Sequence, residues 1–137
     1  MTVDALFQRI VALRNTIEGI TISGGEPLQQ CRALLSLLRR VRRGTRLSVL
    51  VFSGYAWDEV RRMSDANALL DCIDVLIAGR YDQTQRLARD LRGSANKTVH
   101  LLTNRYTMDD LHSTPTAEVI ITAEGDVVVS GIEPVRW

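Results

Sequence analysis

The chain has 137 residues, of which 45% are hydrophobic and 24% are charged, and its formal net charge is +1. This length is typical of a single domain with a hydrophobic core, and the near-neutral charge favours neither nucleic acid nor a membrane surface as a partner. No run of about 18 apolar residues is long enough to span a membrane, and the N-terminus lacks the features of a secretory signal. Because there are only two cysteines, too few for a disulfide framework, we expect a cytoplasmic protein.

The first part of the chain predicts a helix, a short strand and a second helix. Apolar residues at helical spacing predict a helix over 3–15, and the β-branched run 20–22 predicts a strand. After a Gly-Gly turn, apolar residues recur every three or four positions over 28–41, which is typical of an amphipathic helix. The end of this helix is basic, with Arg39, Arg40, Arg42, Arg43 and Arg46. These arginines are either favourable charge at a helix C-terminus on a solvated face or a patch for an acidic partner.

The second part predicts buried strands that alternate with helices. Segments 47–52 and 74–78 are nearly all apolar, which is typical of strands covered on both faces in a parallel sheet. Helices are predicted around 57–63 and 66–70. A polar helix through Leu87 and Leu91, a loop over 92–97 and a fourth strand over 98–102 follow. A helical turn is predicted at 108–111 before Pro115, and a β-hairpin over 117–130.

This alternation predicts an α/β fold with a parallel sheet, organised as one domain over 1–137. In such sheets, ligands bind beyond the carboxyl ends of the strands. Glycines and polar residues follow three predicted strands, in the segments Ser23-Gly24-Gly25, Ser53-Gly54-Tyr55 and Gly79-Arg80-Tyr81. Because glycine lets a ligand approach the backbone closely, we expect a ligand-binding rim at these strand ends.

Four segments, in order, resemble radical S-adenosylmethionine enzymes. The stretch Ile22-Ser23-Gly24-Gly25-Glu26-Pro27-Leu28 is similar to the Gly-Gly-Glu-Pro motif of that superfamily. Segments 51–55, 74–82 and 91–97 are similar to the activating enzymes of glycyl-radical proteins, especially the anaerobic ribonucleotide reductase activases. The resemblance covers most of the chain, from about residue 17 to residue 132.

The resemblance implies a partial (β/α) barrel that binds a four-iron four-sulfur cluster and S-adenosylmethionine. In this family the cofactor is cleaved reductively, and the radical formed takes a hydrogen from a glycine of a partner enzyme. By position, Gly24 and Gly25 would contact the methionine amino group, Glu26 would support them, and Ser53 would lie near the ribose. Glu26 also suits a helix N-terminus, and Ser53 a plain turn. The cofactor-binding residues that the resemblance implies are Ser23, Gly24, Gly25, Glu26, Ser53 and Gly54.

The cysteines depart from the family pattern. The family binds its cluster through Cys-x3-Cys-x2-Cys, whereas this sequence contains only Cys31 and Cys72, which are predicted to be small buried hydrophobic residues. We therefore expect a chain without the first strand and cluster loop of the family, unable to bind the cluster or to catalyse the reaction alone. One alternative is a cluster-free nucleotide-binding or protein-interaction module on the same scaffold, and another is a generic α/β domain whose rim glycines only shape loops.

The remaining titratable candidates have structural interpretations. Asp74 and Asp82 flank one predicted strand, and we expect solvated strand-end residues rather than acid–base catalysts. His100 is predicted to be a hydrogen-bonded core histidine, and His112 lies in a predicted polar loop.

Overall fold

The computed structural model describes residues 1–115 and 117–131. The strands are β1 (Gly19–Ile22), β2 (Ser48–Ser53), β3 (Val75–Ala78), β4 (Arg86–Arg89), β5 (Arg92–Ser94), β6 (Thr98–Leu101), β7 (Ala117–Ile121) and β8 (Val127–Gly131). The helices are α1 (Val3–Leu13), α2 (Cys31–Gly44), α3 (Trp57–Arg61), α4 (Ala66–Leu70) and α5 (Met108–His112), with 3-10 turns at Pro27–Gln30 and Gln83–Gln85. None of the helices in these two ranges has the length and apolar character needed to cross a membrane.

Four strands form the central sheet in the order β1-β2-β3-β6. β1, β2 and β3 are parallel, as predicted, with Ile22 beside Val51 and Val51 beside Leu76. β6 is antiparallel to β3, so the expectation of a parallel sheet is wrong for this strand. A parallel neighbour needs a crossover connection, usually a helix, whereas the connection from β3 to β6, residues 79–97, contains a 3-10 turn and the strands β4 and β5. That this sheet belongs to a partial (β/α) barrel stays a prediction.

Helices α1 and α2 pack into the main hydrophobic core. The Thr2 hydroxyl accepts a hydrogen bond from the Ala5 N–H at 3.1 Å and caps α1. α2 begins at Cys31, later than predicted, because Pro27–Gln30 first forms a 3-10 turn. Buried side chains of α2 pack with those of the central strands, and this core includes Leu34, Leu35, Leu38, Val41, Val49, Val51 and Leu76.

A smaller core lies on the opposite face of the sheet. Val75 and Ile77 of β3 pack there with Leu111 of α5. Partly buried side chains surround them: Leu50, Phe52, Leu91, Val99, Leu101 and Tyr106. β3 is therefore covered on both faces, and all of its residues are buried, as its continuous apolar run predicted.

Strands β4 and β5 form a hairpin, so the prediction of a polar helix through Leu87 and Leu91 is wrong. The two strands pair antiparallel and leave only Asp90 and Leu91 in the turn. Both turn residues have positive φ, 55° and 62°, as a two-residue hairpin turn requires. Leu91 packs in the smaller core, and tertiary burial therefore outweighs local propensity. The predicted loop over 92–97 is also partly wrong, because its first three residues are β5.

The C-terminal part confirms the predicted helical turn and hairpin. The Thr107 hydroxyl accepts a hydrogen bond from the Asp110 N–H at 3.3 Å and caps α5. His112 is the last residue of α5 and contacts the Asp90 carboxylate, so its placement in a polar loop is wrong. β7 and β8 pair antiparallel, with Ile121 beside Val127. Of the predicted domain 1–137, residues 116 and 132–137 lie outside the described residues.

Asp74 is buried just before β3, so the prediction of a solvated strand-end residue is wrong. Its carboxylate accepts hydrogen bonds from the Val49 N–H and the Thr103 hydroxyl, each at 2.7 Å, and pairs with Arg42 Nη2 at 2.9 Å. Burial opposes ionisation, but Arg42 and these hydrogen bonds hold the pKa of Asp74 below its ordinary value. Two arginines of the basic end of α2 therefore have structural partners, since Arg40 also pairs with Asp4 at 3.1 Å.

Candidate functional site

The turn after β1 exposes backbone groups that the fold does not use. Gly24 and Gly25 have φ angles of 82° and 53°, in the left-handed region that favours glycine. A Cβ at either position would meet no atom within 4 Å, so glycine is required here by conformation rather than by space. Within the described residues, no hydrogen bond uses the backbone N–H or C=O of these two glycines. The turn therefore presents free donors and acceptors to a ligand.

Glu26 connects this turn to the end of β2. Its Oε1 accepts hydrogen bonds from the Leu28 N–H at 3.0 Å and the Ser53 hydroxyl at 2.9 Å, and its Oε2 accepts one from the Gly54 N–H at 2.7 Å. The buried Ser53 hydroxyl also accepts a hydrogen bond from the Tyr55 N–H at 3.1 Å. All these donors are neutral, and in the described part of the chain no ion pair involves Glu26. The carboxylate is thus fixed at the rim without a counter-ion among the described residues.

Gly79 joins the end of β3 to the same rim. Its N–H donates to the carbonyl of Ser53 at 3.1 Å and to that of Tyr55 at 2.8 Å. Two features favour glycine at position 79. Its φ angle is 117°, and a Cβ would lie only 3.3 Å from Lys97 Cα. The turn between β5 and β6 therefore packs directly against the end of β3.

Arg80 is engaged within the protein. Its guanidinium forms a two-point ion pair with Glu59, at 2.8 and 3.0 Å, and its carbonyl accepts a hydrogen bond from Asn96 Nδ2 at 2.8 Å. The hydrogen bonds from Arg80, followed by one from the Ala56 N–H, lower the pKa of Glu59 to about 2. Asp82 caps the 3-10 turn that follows, a structural role for a residue predicted to be a plain strand-end carboxylate.

An aromatic pair forms one wall of a recess beside Gly79. The rings of Trp57 and His100 stack with centroids 3.9 Å apart and planes 13° from parallel. His100 Nε2 lies 2.7 Å from the Thr98 hydroxyl, and burial lowers the pKa of His100. These contacts confirm a hydrogen-bonded structural histidine, although it is half-buried rather than enclosed in the core. The recess has a volume of about 260 Å³ and is also lined by Asn96.

An apolar groove runs along the free edge of β1, the terminal strand of the sheet. It has a volume of about 490 Å³ and lies between α1, β1 and α2. Ser23, Gly24 and Pro27 line one part of it, and the apolar lining consists mainly of Leu6, Ile10, Ile20, Ile22, Leu34 and Leu37. A ligand held at the glycine turn therefore has open space next to it.

The structure brings the sequence-predicted site residues to one rim. Hydrogen bonds join Glu26, Ser53 and Gly54, and the residues Ser23, Gly24 and Gly25 form the adjoining turn. Their role in cofactor binding stays a prediction. The position of Lys97 beside Gly79 was not predicted, because the hairpin that carries segment 92–97 to the rim was expected to be a helix and a loop. The similarity of segment 91–97 to the activases was the only signal for it.

The cysteines do not form a site for an iron–sulfur cluster. Cys72 is buried in the main core and Cys31 is half-buried against it, as predicted. Burial raises the pKa of both thiols, which disfavours the thiolate form that binds iron. In the ranges that the structure describes, no three metal-binding side chains lie together. The metal-binding side chains of the described residues therefore do not fit a four-iron cluster.

Comparison with known proteins gives one family and a consistent set of relatives. Residues 1–100 match the family described as a 4Fe-4S single cluster domain. The anaerobic ribonucleoside-triphosphate reductase-activating protein of Haemophilus influenzae is 38% identical over 87 residues, which are 61% of this chain and 55% of that protein. The proteins of the same name from Vibrio cholerae and Escherichia coli K12 are each 34% identical over 89 residues, 62% of this chain and 56% of theirs. The chain thus spans about half the length of these relatives, and no solved structure matches it.

Proposed function

The chain belongs to the family of 4Fe-4S single cluster domains, and from this premise we propose that it is the S-adenosylmethionine-binding part of an activase for a glycyl-radical enzyme. The name of its relatives points to anaerobic ribonucleotide reductase as the enzyme that is activated. The observation that carries the proposal is the Glu26 bridge, which holds a glycine turn with free backbone at the carboxyl ends of the parallel strands β1 and β2. The proposal includes a partial (β/α) barrel as the fold and the cytoplasm as the location.

The free backbone groups and fixed charge of the turn suit the amino-acid end of S-adenosylmethionine. The carbonyl groups of Gly24 and Gly25 accept no hydrogen bond among the described residues and are available to an ammonium group, and the charge of Glu26 favours a cation beside them. Ser53 holds Glu26 at the end of β2, where the ribose would approach. Ligands of parallel α/β sheets bind at this rim.

The family's cluster does not fit the cysteines of residues 1–137. Thiolates hold such clusters, and this chain supplies only two cysteines, both protonated by preference. Anaerobic incubation with iron and sulfide is therefore expected to leave the isolated chain without a stoichiometric four-iron cluster. Iron and sulfide content and the visible absorption spectrum measure this, and a stoichiometric cluster would refute the expectation.

The binding proposal is tested by a matched pair of glycine variants. Gly24 and Gly125 both have positive φ, 82° and 90°, and a Cβ at either would meet no atom within 4 Å. Alanine therefore introduces similar backbone strain at both positions, of order 1–2 kcal/mol. Only Gly24→Ala is expected to weaken binding of S-adenosylmethionine, measured by ligand-observed NMR at millimolar ligand. Equal binding by wild type, Gly24→Ala and Gly125→Ala would exclude the turn as the binding site.

A second candidate function takes account of the lack of a cluster site among the described residues. The chain would then be a cluster-free nucleotide-binding or protein-interaction module on the same scaffold, with the rim or the groove along β1 as its binding surface. Titration with S-adenosylmethionine, ATP and GTP separates the two candidates. A response to ATP or GTP that exceeds the response to S-adenosylmethionine would favour the second.

A further inference from the structure

The charges of the chain are divided between two segments. Residues 27–57 contain six arginines and no acidic residue, whereas residues 106–131 contain five acidic residues and neither lysine nor arginine. The two segments nearly balance, so the formal net charge is only +1. Each segment therefore provides a surface of one sign that suits a surface of the other sign.

The first surface is the arginine face of α2, which consists of Arg32, Arg39 and Arg43. Their spacing of seven and four residues places them on one side of the helix. All three are exposed and line a recess of about 330 Å³, which Leu35 also lines. Within the parts of the chain that the structure describes, no ion pair involves any of the three. The face therefore presents guanidinium groups to an external anion.

Stabilisation of the helix does not account for the arginine face. Cations are favourable in the last turn, where Arg43 lies, but the helix dipole disfavours Arg32 in the first turn. Arg39 and Arg43 are four residues apart, and like charges at this spacing repel each other. An anion bound across the face would offset both unfavourable terms.

The second surface is the β7–β8 hairpin, which is acidic and apolar. Glu124 and Asp126 in its turn are exposed, and no ion pair among the described residues involves them. Five large hydrophobic residues of the hairpin are exposed as well: Val119, Ile120, Ile121, Val127 and Val128. Neither hydrophobic core includes a described residue of the hairpin, and an isolated two-stranded hairpin is only marginally stable in water. The hairpin therefore gains from docking on another surface.

We propose that the β7–β8 hairpin of a second copy of this chain binds the arginine face of α2. Glu124 and Asp126 of one copy pair with the arginines of the other, since guanidinium groups bind carboxylates at two points. The apolar side chains of the hairpin pack on the aliphatic stems of the arginines. A nucleic acid would pair with the arginines but leave the apolar strands of the hairpin exposed.

The contact forms between copies rather than within one chain. α2 packs in the main core, whereas α5, which leads to the hairpin, packs in the smaller core on the opposite face of the sheet. Every chain carries both surfaces, so two copies make the contact twice and close a dimer. The hairpin lies outside residues 1–100, the part of the chain that matches the family.

Charge reversal tests this contact in the full chain, with sedimentation velocity as the measurement. We expect Arg39→Glu/Arg43→Glu to weaken self-association at least tenfold, because attraction to the hairpin becomes repulsion. High salt is expected to weaken association of the wild type. Arg61→Glu/Arg62→Glu makes the same change of net charge at exposed positions at the end of α3, and we expect it to associate as the wild type does.

A second reversal provides a rescue. Glu124→Lys/Asp126→Lys is also expected to be monomeric, because its hairpin and its arginine face then carry the same sign. Mixed in equal amounts with Arg39→Glu/Arg43→Glu, it restores both contacts, and we expect the mixture to sediment as a dimer. Circular dichroism checks that each variant is folded.

Three outcomes would overturn the proposed dimer. The first is a wild type that stays monomeric at high micromolar concentration and low salt. The second is a dimer that persists in both reversed variants, since it would use another surface. The third is a monomer whose binding to heparin is lost in Arg39→Glu/Arg43→Glu, because the face would then serve a different polyanion. The proposed function does not depend on this contact.

Discussion

Two carboxylates at opposite ends of the sheet are held in different ways. Asp74 precedes β3 and accepts hydrogen bonds from Val49 and Thr103, while Arg42 pairs with it at 2.9 Å. Glu26 follows β1, and all its hydrogen-bond donors are neutral groups. Asp74 and Glu26 both form hydrogen bonds to a neighbouring strand, but only Asp74 has its charge balanced by an arginine.

The difference separates a structural carboxylate from one suited to a ligand. A buried charge that lacks a counter-ion is costly, so a carboxylate that serves only the fold gains from a partner such as Arg42. Glu26 is less deeply placed and keeps its charge without such a partner, at a rim where backbone groups of Gly24 and Gly25 are free. The end of the sheet that carries Asp74 is therefore stabilised by an ion pair, and the proposed ligand site lies at the end that carries Glu26.

The largest expected effect is on stability and comes from Asp74. Asp74→Asn removes the charge that balances Arg42, and we expect the free energy of unfolding to fall by about 3 kcal/mol. Urea unfolding followed by circular dichroism measures this, with Asp71→Asn, an exposed carboxylate of the same region, as the control. Unchanged S-adenosylmethionine binding in folded Asp74→Asn is part of the prediction. A loss below about 0.5 kcal/mol, the usual range for surface substitutions, would contradict the structural role.

The second effect is a pH dependence of stability that Asp74 causes. The pKa of Asp74 is lower in the folded chain than its ordinary value, so its contribution is complete above the unfolded pKa and is lost as the pH falls through the folded pKa. We expect the difference in unfolding free energy between wild type and Asp74→Asn to shrink from about pH 5 to about pH 2. Urea titrations at several pH values measure it. A difference that stays constant over this interval would show that folding does not lower the pKa of Asp74.

The smallest effect on stability is expected at Glu26, where the effect on binding is larger. Glu26→Gln leaves one of the donors from Ser53 and Gly54 without its acceptor, and we expect a loss of about 1 kcal/mol. Binding of S-adenosylmethionine is expected to weaken roughly tenfold, because the negative charge beside the ammonium group is removed. Glu18→Gln is the matched control, since Glu18 accepts a hydrogen bond from Tyr106 at 2.8 Å outside the rim. Equal affinity of Glu26→Gln and Glu18→Gln for S-adenosylmethionine would show that Glu26, like Asp74, does not contribute to binding.

Much of the rim was predictable because its signals are local. The apolar runs of β2 and β3 indicate buried parallel strands, and the Gly-Gly-Glu-Pro stretch indicates a turn at the end of β1. The bridge from Glu26 to Ser53 was not predictable in detail, since the residues are 27 positions apart and meet only when β1 and β2 pair. Asp74 was placed in solvent for the same reason: its partners Val49 and Thr103 come from distant segments.

The sequence by itself determined the strands β1 to β3, the amphipathic helices and the glycine turn, because spacing, β-branching and glycine act through neighbouring residues. Tertiary structure alone decided the β4–β5 hairpin, the antiparallel direction of β6 and the position of Lys97. The left-handed turn at Asp90 and Leu91 forms because burial of Leu91 in the smaller core stabilises it. That hairpin reverses the chain, and the reversal carries Lys97 to Gly79 at the rim.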